Sequence, residues 1–356
     1  MDCATISTLK SSITDSPQAF AVHAQLDSVA PKTSRSGSPY LEFGLVDATG
    51  TLSLRAWSDT PIFQALSSLR PGQFVRVEAE WQSNGAFGIE PKRASLRELT
   101  DPERSALLEG SGELRERQNR DFETIQAFIQ SIADPRLQGL CLRFLQEYGD
   151  RFRRTAAARS FHHARRGGLV EHVAQMMRSA NAICSVYPRL NRDLVLSGVL
   201  FHDCGKLWES CYAEHDFTMP HTETGELLGH IAMGLELINR FWREMLASPE
   251  AATWQSLSPP SEHVRMHLLH LIGSHHGEFA FGSPVLPRTP EAAALHYIDN
   301  LDAKLEMFAQ GYVTGTRLTP NIVERVRPLP ANLVEPLPAF EPLELPPDAS
   351  DPCPCI

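Results

Sequence analysis

Five short segments carry imidazoles and carboxylates in a fixed order. They are Gly167-Gly-Leu-Val-Glu-His172, Leu200-Phe-His202-Asp203-Cys-Gly-Lys206, Glu226-Leu-Leu-Gly-His230, Ser274-His275-His276-Gly277 and His296-Tyr-Ile-Asp299-Asn-Leu-Asp302. Imidazole combined with carboxylate suits borderline and hard divalent ions such as Fe, Mn, Zn or Co. A lone histidine, or one His-Asp pair at a helix end, is more often packed or at the surface than liganded. Five such segments on consecutive apolar helices make a ligand set the stronger reading.

The elements that must position these groups are helical. From Asn119 to about Gln310 the apolar periodicity is that of helices, as in the face formed by Phe122, Ile125, Phe128, Ile129 and Ile132. Pro135, Pro188, Pro249, Pro259–Pro260 and Pro284–Pro290 divide the stretch, because proline is disfavoured inside a helix. Eight or so helices with no strand signal predict an all-α domain over 119–315. Residues 17–97 read instead as short strands. Leu41, Phe43 and Leu45, then Leu52, Leu54 and Ala56, alternate with polar or small residues across the turn Asp47-Ala-Thr-Gly50. Five strands with a helix after Pro61 predict a small OB-type barrel. A charged connector, partly helical, spans about 99–118. Ten of the 26 prolines lie from Pro320 to Pro354, so 319–356 is expected to be a proline-rich tail without regular helix or sheet. Its Cys353-Pro-Cys355 supplies too few ligands for a metal site.

The histidine pattern resembles the HD-domain metal-dependent phosphohydrolases, whose His…His-Asp…Asp hallmark is matched by His172, His202-Asp203 and Asp299. The resemblance spans about 160–310. It implies one metal on His172, His202, Asp203 and Asp299, and a second on His230, His275, His276 and a bridging Asp203. Two divalent ions are expected, manganese first, with iron, cobalt, nickel, zinc or magnesium as alternatives. Two ions acidify a bound water and neutralise charge growing on a phosphate. Lys206, three residues after Asp203, faces the same pocket if the turn is helical, and its ammonium can act on the phosphate. With Asp203 it forms the expected catalytic pair, although a solvated lysine is the plain alternative. Glu226, four residues before His230, and Asp302, three after Asp299, read equally as partners that orient a ligand and as ordinary helix carboxylates.

Nucleic acid is suggested by position. Arg151 to Arg166 holds six arginines (Arg151, Arg153, Arg154, Arg159, Arg165 and Arg166) and no acid, and it leads into the helix of His172. That makes a candidate phosphate track, with a solvated helix face as the plain alternative. In the barrel, alternation turns Tyr40, Arg55 and Trp57 away from the inward Leu52, Leu54 and Ala56, as base stacking requires. The order of barrel, Phe161-His-His-Ala, Gly-Gly-Leu-Val-Glu-His172 and His296-Tyr-Ile-Asp-Asn-Leu-Asp-Ala-Lys304 is similar to the YhaM-type 3′-to-5′ exoribonucleases up to about residue 315. This implies stepwise release of nucleoside 5′-monophosphates from single-stranded RNA, or single-stranded DNA. It also gives His163 a place beside the substrate, where the basic run puts Arg165 and Arg166.

Composition bounds the rest. The formal net charge of −10 excludes a polycation that coats nucleic acid. Seven scattered cysteines do not make a secreted disulfide framework, so a cytoplasmic protein is expected. The N-terminus lacks a signal-peptide pattern, and no apolar run approaches the length of a membrane span. A homo-oligomer is admitted. The rivals are an HD phosphodiesterase acting on a nucleotide or cyclic nucleotide, and a nucleic-acid-binding regulator with a vestigial site. Against the cyclic dinucleotide enzymes, His275-His276-Gly277 is not followed by their Gly-Tyr-Pro. Against a mononucleotide hydrolase stands the barrel itself.

Overall fold

The computed structural model describes residues 3–14, 16–34, 36–84, 88–110, 112–158, 163–217, 219–220 and 222–340. β1 (Cys3–Ala4) and α1 (Ile6–Ser12) precede β2 (Gln18–Thr33), β3 (Pro39–Asp47), β4 (Gly50–Trp57), α2 (Pro61–Ser67), β5 (Phe74–Asn84) and β6 (Gly88–Glu98). The sheet order is β4-β3-β2-β5-β6, antiparallel throughout, and β1 joins β2 in parallel. β4 also approaches β6, and α2 lies between the third and fourth barrel strands. This is OB-type connectivity. Strand alternation sets its faces: Leu52, Leu54 and Ala56 are buried while Thr51, Ser53 and Arg55 are exposed.

The N-terminal helix is an addition to the expected barrel, which started at residue 17. Ile6 and Leu9, one turn apart, are fully buried in the barrel core. Asp47 accepts the Ile6 N–H at 2.8 Å and the Thr49 N–H at 2.7 Å, which pins α1 beside the β3–β4 turn.

The connector is helical. A Thr100–Glu103 capping box starts α3 (Asp101–Glu109), and α4 (Gly112–Gln130) begins ahead of the expected Asn119. There follow α5 (Pro135–Phe152), α6 (Gly168–Val186), α7 (Arg192–Phe201), α8 (Lys206–Glu209), α9 (Glu223–Leu246), α10 (Ser261–Ser274) and α11 (Pro290–Thr314). Asp134, Asn191, Thr222 and Thr289 cap α5, α7, α9 and α11, each accepting an N–H of the first turn. From Leu194 to Phe201 every residue of α7 is buried, so this helix is the centre of the bundle.

The tail departs from expectation. β7 (Arg317–Thr319), β8 (Ile322–Val323) and β9 (Leu333–Val334) form a small antiparallel sheet. Its prolines fall between the paired residues, while Val323, Leu329 and Leu333 bury against Met307, Phe308 and Tyr312 of α11. Cys353 and Cys355 lie outside the described residues, as do Arg159, Phe161 and His162. The barrel meets the helices at Phe217, which is buried against Val46 and Phe74 and donates its N–H to Gln25 Oε1 at 2.7 Å. Among the described residues no helix is long and apolar enough to cross a membrane.

Candidate metal centre

The seven ligand candidates arrive from five different helices. α6 carries His172, the C-terminal end of α7 delivers His202 and Asp203, α9 carries His230, the end of α10 presents His275 and His276, and α11 carries Asp299. Close approach needs glycine at two points. A Cβ on Gly205 would lie 1.9 Å from the His230 carbonyl oxygen, and one on Gly168 would lie 1.9 Å from that of His163. His172, His202, Asp203 and His275 are buried.

The seven expected ligands are brought together as two sets that share one carboxylate. His172 Nε2 stands 3.3 Å from His202 Nε2 and 3.4 Å from Asp299 Oδ1. His202 Nε2 is 3.3 Å from Asp203 Oδ2. The other oxygen of Asp203, Oδ1, faces His230 Nε2 at 3.4 Å and His275 Nε2 at 3.7 Å. His230, His275 and His276 offer ring nitrogens that all lie within 4.8 Å of one another.

The ring orientations follow from the Nδ1 atoms. His202 Nδ1 bonds the Val199 carbonyl at 2.8 Å, His275 Nδ1 that of Ile272 at 2.8 Å, and His276 Nδ1 that of Phe281 at 2.7 Å. A carbonyl only accepts, so these Nδ1 atoms carry the proton and Nε2 keeps its lone pair. His172 Nδ1 bonds Asp302 at 2.7 Å, and His230 Nδ1 lies 3.3 Å from Glu209. Asp203 Oδ1, His230 Nε2 and His275 Nε2 are buried with no hydrogen-bond partner. Three converging orphaned donors of this kind fit a divalent cation and little else, since buried polar atoms are otherwise paired.

Electrostatics agree with ligation. Burial raises the Asp203 carboxyl, but Lys206 and His202 outweigh it and hold the group well below the usual range. Burial also opposes ionisation of Asp299, and His172 and His202 reverse it. Burial, reinforced by His202, pushes His275 well below its ordinary value, which favours the neutral imidazole that a metal needs. Burial disfavours protonation of His163, yet the carboxylates of Asp302, at hydrogen-bond distance, and Glu171, 3.8 Å away, push it up to about 9.

The surrounding residues divide. Lys206 Nζ is 2.8 Å from Asp203 Oδ2 and also donates to the Ala157 carbonyl. Asp302 accepts from His172 and stands 3.2 Å from His163 Nε2, so it can orient the His172 ring. Glu226 is not the partner of His230. Gly229 breaks the helical path (φ 69°, ψ 163°), and Glu209 of α8 takes both the His230 N–H, at 3.0 Å, and the side of its ring. Sequence reasoning missed Glu209; its only signal is an acid one turn beyond Lys206. The structure also gives Arg165 and Arg166 other work than a phosphate track. Arg165 pairs with Glu171 and with Glu306 at 3.1 Å. Arg166 donates to the carbonyls of Ala213, Glu214 and Asp216. Cys204 is fully buried and packs. On the barrel, Tyr40 and Trp57 are cross-strand partners with ring centroids 5.1 Å apart, and Arg55 lies 5.8 Å from the Tyr40 centroid.

A barrel of OB type followed by a helical His/Asp centre defines a hydrolytic enzyme of the nuclease and phosphohydrolase class. The HD domain model matches residues 169–304. The 3′-5′ exoribonuclease YhaM of Geobacillus sp. (strain WCH70) is 32% identical over 288 residues, covering 80% of this chain and 82% of its own. That of Bacillus subtilis (strain 168) is 30% identical over 273 residues, covering 76% and 81%. The chain belongs to the YhaM exoribonuclease family. Among solved structures, the replication factor A related protein from Methanobacterium thermoautotrophicum aligns with 28% of this chain and 92% of its own, at 20% identity and a TM-score of 0.22.

Proposed function

We propose that this chain shortens single-stranded RNA from its 3′ end and releases nucleoside 5′-monophosphates. Residues 17–97 hold the strand and 119–315 cut it. His172, His202, Asp203 and Asp299 would hold one divalent ion, and His230, His275, His276 and Asp203 a second, with manganese the first choice. Bound there, the ions supply an acidified water and positive charge against the phosphate. The observation that carries this reading is Asp203, whose two oxygens face two separate imidazole sets.

The other side chains take defined parts. Asp302 and Glu209 hold the rings of His172 and His230 with Nε2 inward. An ammonium has three donors. Asp203 and the Ala157 carbonyl engage two of those on Lys206, and the third is left for a phosphate oxygen as its charge grows. Tyr40 and Trp57 give bases a stacking surface beside Arg55. His163 lines the opening next to Asp302.

The test is a single-stranded RNA labelled at its 5′ end, incubated with the full chain and Mn²⁺. The expected products are a ladder that shortens one nucleotide at a time, with free 5′-monophosphates. Internal fragments, or hydrolysis of a cyclic dinucleotide with the RNA left intact, would contradict the proposal. A DNA strand of the same sequence reports the preference between the two polymers.

A further inference from the structure

Three cavities lie along the outer face of β4 and the approach to Asp302: the first and second each border that strand, and the second and third share lining residues. The first, about 170 Å³, is lined by Ser53, Arg55 and Trp57 of the outer face of β4. Thr51, the next outward residue of that strand, lines the second, about 690 Å³, between the β3–β4 turn, α1 and the helical part. From Trp57 to Thr51 the strand covers roughly 20 Å at its usual rise per residue. Arg165 and Glu306 line both the second cavity and the third, about 670 Å³, whose wall includes His163 and Asp302. Asp302 in turn bonds His172.

The middle cavity holds two cations, Lys10 and Arg165. Arg165 is committed to Glu171 and Glu306. Lys10 makes no hydrogen bond or ion pair with any described residue. Its helix is held by the buried Ile6 and Leu9 and by the Asp47 bond, so its stem is fixed at the cleft. Partial burial lowers its pKa against the pull of Asp47, the mark of an ammonium short of solvent and of a close counter-ion. Of the two acids lining the cleft, Glu306 is taken by Arg165 and Asp27 sits exposed.

We propose that this cleft is a phosphodiester subsite on the route of a single strand from the barrel to the metal centre, with Lys10 as its phosphate-binding cation. The proposal rests on the exonuclease reading above. On this route a phosphate upstream of the cleavage point is held by Lys10, between the outer face of β4 and the cavity lined by His163 and Asp302.

The test uses the full chain with Mn²⁺ and compares kcat/KM for a 20-nucleotide strand with that for a dinucleotide, which is too short to span the cleft. In Lys10→Met the ratio of long to short is expected to fall about tenfold, the scale of one charged hydrogen bond. Binding of the 20-mer in EDTA should lose about 0.7 from its slope of log affinity against log salt, the share of one single-strand phosphate contact. Lys10→Arg should restore both. Thr51→Glu, on β4 rather than α1, should lower the same ratio and keeps the test open if the Lys10 variants fold poorly. An unchanged ratio and slope, or equal losses on long and short substrates, would overturn the subsite. If the parent chain itself releases no nucleotide from the 20-mer, the exonuclease reading fails and the route falls with it.

Discussion

Glu209 Oε1 accepts the backbone N–H of His230 at 3.0 Å and stands 3.3 Å from the same residue's Nδ1. One carboxylate thus closes the break at Gly229 and sets the ring beyond it. Glu209→Ala is expected to weaken the ion on the His230 side about 10–100-fold, the usual scale for losing a partner of a liganding imidazole. The ion on the His172 side should be retained. Calorimetric Mn²⁺ titration separates the two, with Glu226→Ala expected to titrate like the parent.

Lys206 is expected to matter for turnover and not for metal. Lys206→Ala should lower kcat about 10²–10³-fold, the scale of one lost transition-state donor. The ammonium neutralises Asp203 at 2.8 Å, so its removal leaves that carboxylate at least as available to a cation. Elemental analysis should find metal undiminished. Loss of metal in parallel with rate would move Lys206 from chemistry to site assembly.

Gly205→Ala is a packing test. The added Cβ would meet the His230 carbonyl oxygen at 1.9 Å, and backbone has to move to admit it. A destabilisation of about 1–3 kcal/mol or more is expected from overpacking of this kind, read as a lower melting temperature. A parent-like melting temperature would mean that α8 and α9 are not held this closely.

The arginines ahead of α6 are expected to act on the fold. Arg166 ties down the carbonyls of Ala213, Glu214 and Asp216, next to the Phe217 that enters the barrel contact. Arg165→Ala strips a partner from the buried Glu171, a change that costs about 3–5 kcal/mol when nothing replaces it. The cost here should be smaller, since Arg117 and Gln118 remain beside that carboxylate. Arg165→Ala and Arg166→Ala should both lower thermal stability with little change in the salt slope of RNA binding. A flattened slope at parental stability would return these residues to the phosphate track.

The gathering of these imidazoles and carboxylates at one place was legible because metal chemistry admits few residue types and these stand in a fixed order along the chain. The inward face of the barrel was legible for a similar reason: Leu52, Leu54 and Ala56 keep a strict period of two. What supports the ligands was not. The partner of His230 depends on a backbone break at Gly229 and on an acid from another helix, and helical spacing points instead to Glu226. The role of Arg166 depends on main-chain carbonyls some 50 residues away, which carry no sequence signal. In the tail, proline content concealed the pairing of Ile322–Val323 with Leu333–Val334. At the N-terminus, Ile6 and Leu9 are too short a pattern to mark a helix that fills the barrel and places Lys10.

The metal content of Asp203→Ala tests the shared-carboxylate centre most directly. Measured by elemental analysis after equilibration with Mn²⁺, the parent is expected to hold two ions per chain. The variant should hold neither tightly, because one side chain faces both imidazole sets. Two ions retained in the variant, at parental affinity, would contradict the account.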